Sequence, residues 1–542
     1  MSTLSAPLRP TEPTPGCLET SELPGTLLLK QLATYILSLI VILVCFLFLF
    51  YRLGDRDLWS SHEARAAQDA QSVLNGQWLV PQLFDGRFEL QKPPLYYWWV
   101  ASWCRLTGRP VDALAVRLPA ALSALIIIAT LIVLGYLFYN LLAGVLAAAT
   151  LFLMPHFVWL ARVGRVDLPL TACLTVAFAA WLVRSHLGNS RCQYLSFLLA
   201  LLSLAAGVLI KGPIAVVLFS LAILSNKFCE KMFFGNACHT RQLSAHLYLS
   251  PLTVMTTVFI TAPVLVWYVA ANEATGGEWV REFLYRHNLA RGLGTDPRLD
   301  RHSHWLGPAF YVVRLPLDIG PIILLAIWLA IKGYHRLRGD RILIFSANWF
   351  LTCLAFFSCM RYKRADYLLP AYPALALFIG FGLAQHVREL TKSARRWWYV
   401  AYTLAVALSL ISWLAYINWV LPTVDELRQQ RDFADLVRTH HGPGEPVYMF
   451  GTEAHLLSYH LGPPIQRTFD PGVVASWLAE RNPLYIVVAR KSFPQLQELA
   501  QPNLVWAVIA SNECSQPPWW YRWWNQEQDD ALFLVRASRV IN

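Results

Sequence analysis

Apolar runs recur along most of the first 420 positions, at 32–51, 113–138, 142–160, 168–184, 193–210, 213–226, 248–271, 311–332, 342–359, 368–386 and 397–420. A helix needs about 20 such residues to cross the hydrocarbon core, so the pattern predicts an α-helical polytopic membrane protein of about 11–13 spans. The stretch 93–106 is apolar and aromatic but short, bounded by Pro93-Pro94 and Gly108-Arg109-Pro110, and reads as interfacial rather than crossing. Residues 1–26 are rich in Pro, Thr and Ser and read as a disordered tail. Past residue 420 the periodicity becomes that of a soluble α/β region, 421–542. Strands are predicted at 447–450, 484–489, 504–510 and 531–535, and helices at 426–439, 453–459 and 473–480. Alternation of this kind predicts a small, mostly parallel sheet. Trp519, Trp520, Trp523 and Trp524 crowd one loop, where packing is the plain reading and lipid or glycan contact the other.

Composition agrees with the spans. Of 542 residues 56% are hydrophobic and 15% charged, against about 25% charged in a soluble domain, and the mean hydropathy is +0.41. The net charge of +11 sits largely in short loops, where topology and lipid phosphates account for it, and no motif points to nucleic acid. Cysteine spacing gives neither a disulfide framework nor a zinc site. No cleavable signal peptide is evident.

With a cytoplasmic N-terminus and 93–106 not crossing, the loops 52–112, 161–167, 272–310 and 360–367 and the C-terminal domain fall outside. The inner loops carry Arg191, Lys227, Lys231, Arg336, Arg338, Arg388, Lys392 and Arg395 with few acids, as the positive-inside rule requires. The outer loops are basic too, which that rule does not explain and an anionic ligand does. The first outer loop holds His62, Glu63, Arg65 and Lys92, with helical spacing over 63–77 and Lys92 set before a stiff Pro-Pro turn. Glu63 at a helix start is a candidate base or an ordinary acidic first turn. Lys92 is a candidate phosphate ligand or a snorkelling lysine. Asp167 follows Arg162 and Arg165 at the mouth of a span, where a carboxylate is costly unless paired or working. The third outer loop supplies Arg286, His287, Arg291, Arg301 and His304; the fourth supplies Lys363, Arg364 and Tyr367. Guanidinium and ammonium groups gathered at one face can clamp a phosphate, or bind anionic headgroups without selectivity.

Taken in order, His62-Glu-Ala-Arg with Trp78-Leu-Val-Pro, Lys92-Pro-Pro-Leu-Tyr-Tyr-Trp, Ala161-Arg-Val-Gly-Arg-Val-Asp167, Lys211-Gly-Pro, the 281–291 stretch and Lys363-Arg…Tyr367-Leu-Leu-Pro resemble the GT-C superfamily of polyprenyl-phosphate-sugar-dependent glycosyltransferases. The likeness is to the branch that includes lipid A aminoarabinose transferase and the protein O-mannosyltransferases. It implies a multi-pass inner-membrane enzyme whose active site and C-terminal domain face the periplasm. The implied donor is a polyprenyl-phosphate-linked sugar and the acceptor a lipid, glycan or protein, met among membrane lipids, with transfer by inversion. It also implies Glu63, Asp167 and His62 as catalytic candidates. Arg65, Lys92, Arg286, His287, Arg291, Lys363, Arg364 and Tyr367 follow as substrate- and phosphate-binding candidates, and a divalent metal is the one cofactor left open. The chain departs from the family pattern twice. His62 stands at the Asp of the family's Asp-Glu pair, and Gln91 at the Glu of its Glu-Lys-Pro-Pro. A flippase for lipid-linked saccharides and a non-catalytic relative are the alternatives; the first predicts polar, broken helices at mid-membrane.

Overall fold

The computed structural model describes the chain except residues 1–23, 187–189, 235–249, 296–305, 334–338, 429, 443, 500–503, 514–530 and 540–542. Arg301, His304, the four tryptophans at 519–524 and nearly all of the expected N-terminal tail lie outside the described residues; from Pro24 the chain is helical. The first helices are α1 (Pro24–Phe50), α2 (Ser61–Leu74), α3 (Leu95–Thr107), α4 (Ala113–Phe138), α5 (Leu141–Phe152), α6 (Pro155–Leu160), α7 (Asp167–His186), α8 (Ser190–Lys211) and α9 (Ile214–Phe234). Among the described residues seven helices are long and apolar enough to cross a membrane. The pair Gly307–Ile319 and Ile322–Lys332, bent by 111°, can make an eighth. The count is lower than the apolar runs suggested because polar-free sequence does not guarantee an unbroken helix. The run at 142–160 is cut where Pro155 restarts it as α6, since proline lacks the N–H and clashes with the preceding turn.

Caps fix the elements around the outer loops. Ser60 caps α2 by accepting from the Glu63 amide, and Asp112 caps α4 by accepting from Ala115 N at 2.8 Å. α3 has 13 residues and ends at Gly108 in the left-handed conformation. Its Tyr96, Tyr97, Val100 and Cys104 pack on Ala64, Ala67 and Ala70 of α2 and Val116 of α4. The larger apolar core joins α4, α5, α7 and the helix Tyr372–Arg388.

The C-terminal region forms a five-stranded sheet of order β2-β1-β3-β5-β4, with β1 Val447–Phe450, β2 Ile465–Thr468, β3 Leu484–Ala489, β4 Leu504–Ser511 and β5 Leu532–Arg539. β1 pairs in parallel with β2 and β3, whereas β5 pairs antiparallel with β3 and β4. The sheet is therefore mixed rather than mostly parallel. The short, polar β2 (Ile-Gln-Arg-Thr) has too little apolar alternation to show in the sequence, and it supplies one of the parallel pairs.

This domain is docked on the first outer loop. Leu456 is buried among α2, α3 and α4, Gln68 donates to the His455 carbonyl at 3.0 Å, Ile465 N donates to Phe84 O, and Arg467 pairs with Asp85 at 2.8 Å, both buried.

Candidate active site

Glu63 and His62 are neighbours in the first turn of α2 but face different ways. Successive helical residues are about 100° apart, and Glu63 shares the buried face with Ala67 and Ala70. Its Oε1 accepts from Arg117 Nε at 2.8 Å and Gly164 N at 2.7 Å; its Oε2 accepts from Arg117 at 2.9 Å and Trp59 N at 2.5 Å. Burial alone would raise its pKa, but the Arg117 guanidinium outweighs that and brings it down to about 2. Arg117 also donates to the carbonyls of Leu53, Arg56 and Asp57. Gly164 allows this close approach, since a Cβ there would lie 2.4 Å from Val116 Cγ1. The expectation of Glu63 as a base therefore meets a carboxylate with every acceptor direction filled and no face on a cavity. It ties the first and second outer loops to α4.

His62, by contrast, lines a chamber of about 70 Å³ together with Arg65, Glu89, Lys92, Arg165, Asp167, Lys211, Arg291, Arg364 and Tyr367. Three loops and the ends of α7 and α8 converge here. Asp167 at the start of α7 lies 2.5 Å from Lys211 Nζ at the end of α8 and 3.3 Å from Arg165. Arg165 continues to Asp366 at 2.6 Å, which also meets His156 at 3.1 Å and Arg364 at 3.6 Å. Lys211 Nζ sits 4.8 Å from the centre of the Tyr367 ring. The backbone past Lys211 turns at Gly212, where φ is +95° and a Cβ would lie 2.4 Å from the Phe283 ring; a side chain there would be strained and would push Phe283 away.

On the opposite wall Arg65 pairs with the buried Glu89, whose other oxygen accepts from Gln91 N at 2.6 Å. Asp69 lies behind them, its pKa raised by burial and by the Glu89 charge. Burial, then repulsion from Lys211, lowers the Lys92 pKa to about 7. Burial first, then Arg165, Arg364 and Arg65, holds the His62 pKa well below its ordinary range, so the imidazole is neutral at pH 7.

A second, larger cavity of about 640 Å³ adjoins the chamber and shares Arg65, Gln91 and Arg291 with it. Five arginines (Arg65, Arg87, Arg281, Arg286, Arg291) and three glutamates (Glu278, Glu282, Glu453) line this vestibule, along with His287 and His455. Arg286 and His287 sit on the π-helix Val280–Ala290, and Arg286 pairs with Glu282. Burial, then Arg291 and Lys92, lowers the His287 pKa to about 2.

The structure thus gathers His62, Arg65, Lys92, Asp167, Arg291, Arg364 and Tyr367 at the chamber and places Arg286 and His287 in the vestibule. Lys363 reaches neither, because its ammonium turns back to donate to the Met360 carbonyl. Sequence reasoning passed over Glu89, His156, Arg165, Lys211 and Asp366 as site residues, although Lys211 stood in one of the loop motifs. The signal for Arg165 and Asp366 was an opposite charge in a neighbouring outer loop, one in 161–167 and the other in 360–367. For a divalent metal the residues do not fit: among the described residues no three His, Cys, Asp or Glu side chains converge as ligands. Asp167 and Asp366 face cations instead.

A family model described as dolichyl-phosphate-mannose-protein mannosyltransferase matches residues 32–260. The chain is 26% identical over 378 residues to an undecaprenyl phosphate-alpha-4-amino-4-deoxy-L-arabinose arabinosyl transferase of Pectobacterium carotovorum, an alignment covering 68% of this chain and 64% of the relative. It is likewise 26% identical over 386 residues to an uncharacterized protein of Aquifex aeolicus, 69% of each. Among solved structures, ArnT from Cupriavidus metallidurans bound to undecaprenyl phosphate superposes with a TM-score of 0.68 at 18% identity, over 92% of this chain and 97% of that one. The oligosaccharyltransferase AglB from Archaeoglobus fulgidus superposes at 0.51 and 12% identity, over 84% and 70%. The chain is therefore a polytopic membrane protein with the GT-C fold. Within that class it is similar to the aminoarabinose arabinosyl transferases, in agreement with the resemblance read from its loop motifs.

Proposed function

We propose that the protein is a membrane glycosyltransferase that moves a sugar from a polyprenyl-phosphate carrier to an envelope lipid, glycan or protein at the periplasmic face of the inner membrane. The observation that carries this reading is the chamber where Arg65, Arg165, Lys211, Arg291 and Arg364 converge at one end of the helices, around three carboxylates (Glu89, Asp167 and, through Arg165, Asp366), with Lys92, whose pKa falls to about 7, beside them. Such a surplus of fixed cations suits a phosphate whose charge grows as it leaves. The relatives above, an undecaprenyl phosphate-aminoarabinose transferase and a structure solved with undecaprenyl phosphate bound, support the same donor class.

In the reaction an acceptor oxygen attacks the anomeric carbon from the face opposite the phosphate. The bond from that carbon to the phosphate oxygen breaks, and its electron pair leaves with the polyprenyl phosphate. The acceptor's proton passes to a base, and His62 supplies a neutral imidazole nitrogen at the chamber wall. Asp167 holds Lys211 and Arg165 in place, and Glu63 holds the loop that carries His62. Tyr367 and Arg364 complete the phosphate side.

The reading is tested with the full chain reconstituted in nanodiscs, by following transfer from a polyprenyl-phosphate sugar and the pH dependence of its rate. In the free enzyme burial and the guanidiniums of Arg165, Arg364 and Arg65 disfavour protonated His62; the anionic phosphodiester of the bound donor offsets them and raises its pKa. The acid limb of kcat, which reports the donor complex, is therefore expected at higher pH than that of kcat/KM, which reports the free enzyme. His62→Gln should flatten both. Superimposed limbs, or a His62→Gln enzyme with the wild-type profile, would remove His62 as the base. Absence of polyprenyl phosphate binding would remove the whole reading.

A further inference from the structure

The vestibule is walled on one side by the π-helix and on the other by the C-terminal domain, through the turn Glu453-Ala454-His455. Ala454 adopts φ +30°, ψ +47°, a left-handed conformation that costs an alanine free energy. The turn is held in it from both sides. Gln68 of α2 donates to the His455 carbonyl, and Arg87 and Arg467 pair with Glu453 at 3.2 and 3.6 Å. His455 is 6% exposed and pairs through Nε2 with Glu453 at 3.0 Å, while its Nδ1 is buried with no hydrogen-bond partner. A buried acceptor without a donor is costly. Strain and an unmet polar atom in one turn, set on a cavity wall, mark a surface shaped for something other than folding.

The charges say what would enter. Five arginines outnumber three glutamates. Arg281 is exposed and forms no ion pair among the described residues, and the Arg291 Nε is buried without a partner. Resting on the transferase reading, we infer that the vestibule is the acceptor subsite, and that the C-terminal domain's Glu453–His455 turn and Arg281 select an acceptor head that carries a hydroxyl beside a phosphate or carboxylate. Its anionic group meets Arg281 and Arg291, a hydroxyl donates to His455 Nδ1 after a small opening of the turn, and the shared wall at Arg65, Gln91 and Arg291 delivers the reacting oxygen to the chamber.

The test uses the full chain in phosphatidylcholine nanodiscs, with glucose 1-phosphate and glucose as soluble probes and polyprenyl phosphate titrated in parallel. Glucose 1-phosphate is expected to bind in preference to glucose, and Arg281→Gln to weaken it about tenfold, the scale of one charge-assisted contact. Polyprenyl phosphate affinity should stay at the wild-type value. His455→Leu, which removes the Nδ1 acceptor while Arg87 and Arg467 still pair with Glu453, should weaken glucose 1-phosphate in the same direction. Nanodiscs containing phosphatidylglycerol distinguish the sources: competition with glucose 1-phosphate assigns the subsite to a lipid headgroup, and its absence to a water-borne glycan. Equal binding of the two probes, no effect of either substitution, or displacement of glucose 1-phosphate by polyprenyl phosphate would overturn the inference and leave the donor chamber as it stands. Failure of the wild-type chain to bind polyprenyl phosphate would instead overturn the transferase reading beneath it.

Discussion

Glu63→Ala is expected to destabilise the outer-loop end of the protein by about 3–5 kcal/mol, because it leaves the Arg117 guanidinium buried and uncompensated. Arg117 is fully buried, and Glu63 is the carboxylate that pairs with it. The same substitution removes the acceptor for the Gly164 and Trp59 amides, so two loops lose their tie at once. The sign with pH follows from the pKa being lower in the folded protein than the ordinary 4.5. The stabilisation is complete above about pH 4.5 and is lost as pH falls toward about 2. Thermal unfolding in detergent, followed from pH 7 down to pH 3, should show the wild type losing part of its advantage over Glu63→Ala. A variant that melts with the wild type but turns over far more slowly would return Glu63 to the chemistry.

Lys211→Met is expected to have the largest effect on turnover in a folded protein, a loss of about 10²–10³ in kcat, the cost of deleting one preorganised group that meets developing negative charge. The ammonium lies at the chamber wall between Asp167 and Tyr367, and methionine keeps much of the chain's volume without the charge. Lys363→Met is the paired measurement. Its ammonium serves the Met360 carbonyl, so turnover should stay near the wild-type value. Equal losses at the two lysines would mean that charge in the region, rather than position at the chamber, controls the rate.

The contrast between these lysines shows what the sequence could and could not reveal. Charge in the outer loops, the Pro-Pro after Lys92 and the order of the loop motifs were visible, and with them the GT-C fold and most of the chamber. The direction of each side chain was not. Lys363 and Arg364 are adjacent, yet only Arg364 lines the chamber. Glu63 could have been placed better: its spacing to Ala67 and Ala70 is that of one helical face, and both alanines are buried. A carboxylate on an apolar stripe requires a buried cation, and Arg117 was one of three arginines inside the predicted spans, with Arg184 and Arg314. Ion pairs such as Arg165–Asp366 join loops some 200 positions apart, a pairing set by how α7 packs on the short helix Ala365–Ala371, which no local pattern encodes.

The bond from Gln68 to the His455 carbonyl crosses 387 positions, and that span sets an order of assembly. Ribosomes build the chain from its N-terminus, so α2 reaches its side of the membrane long before the helix His455–Leu461 that will cover it. Until that helix is made, Gln68 lacks that partner and the alanine-rich face of α2 lacks Leu456. The last fifth of the polypeptide is thus the closing piece of the outer-loop assembly. Chains released early would expose a polar and apolar seam of the kind that envelope proteases and chaperones recognise.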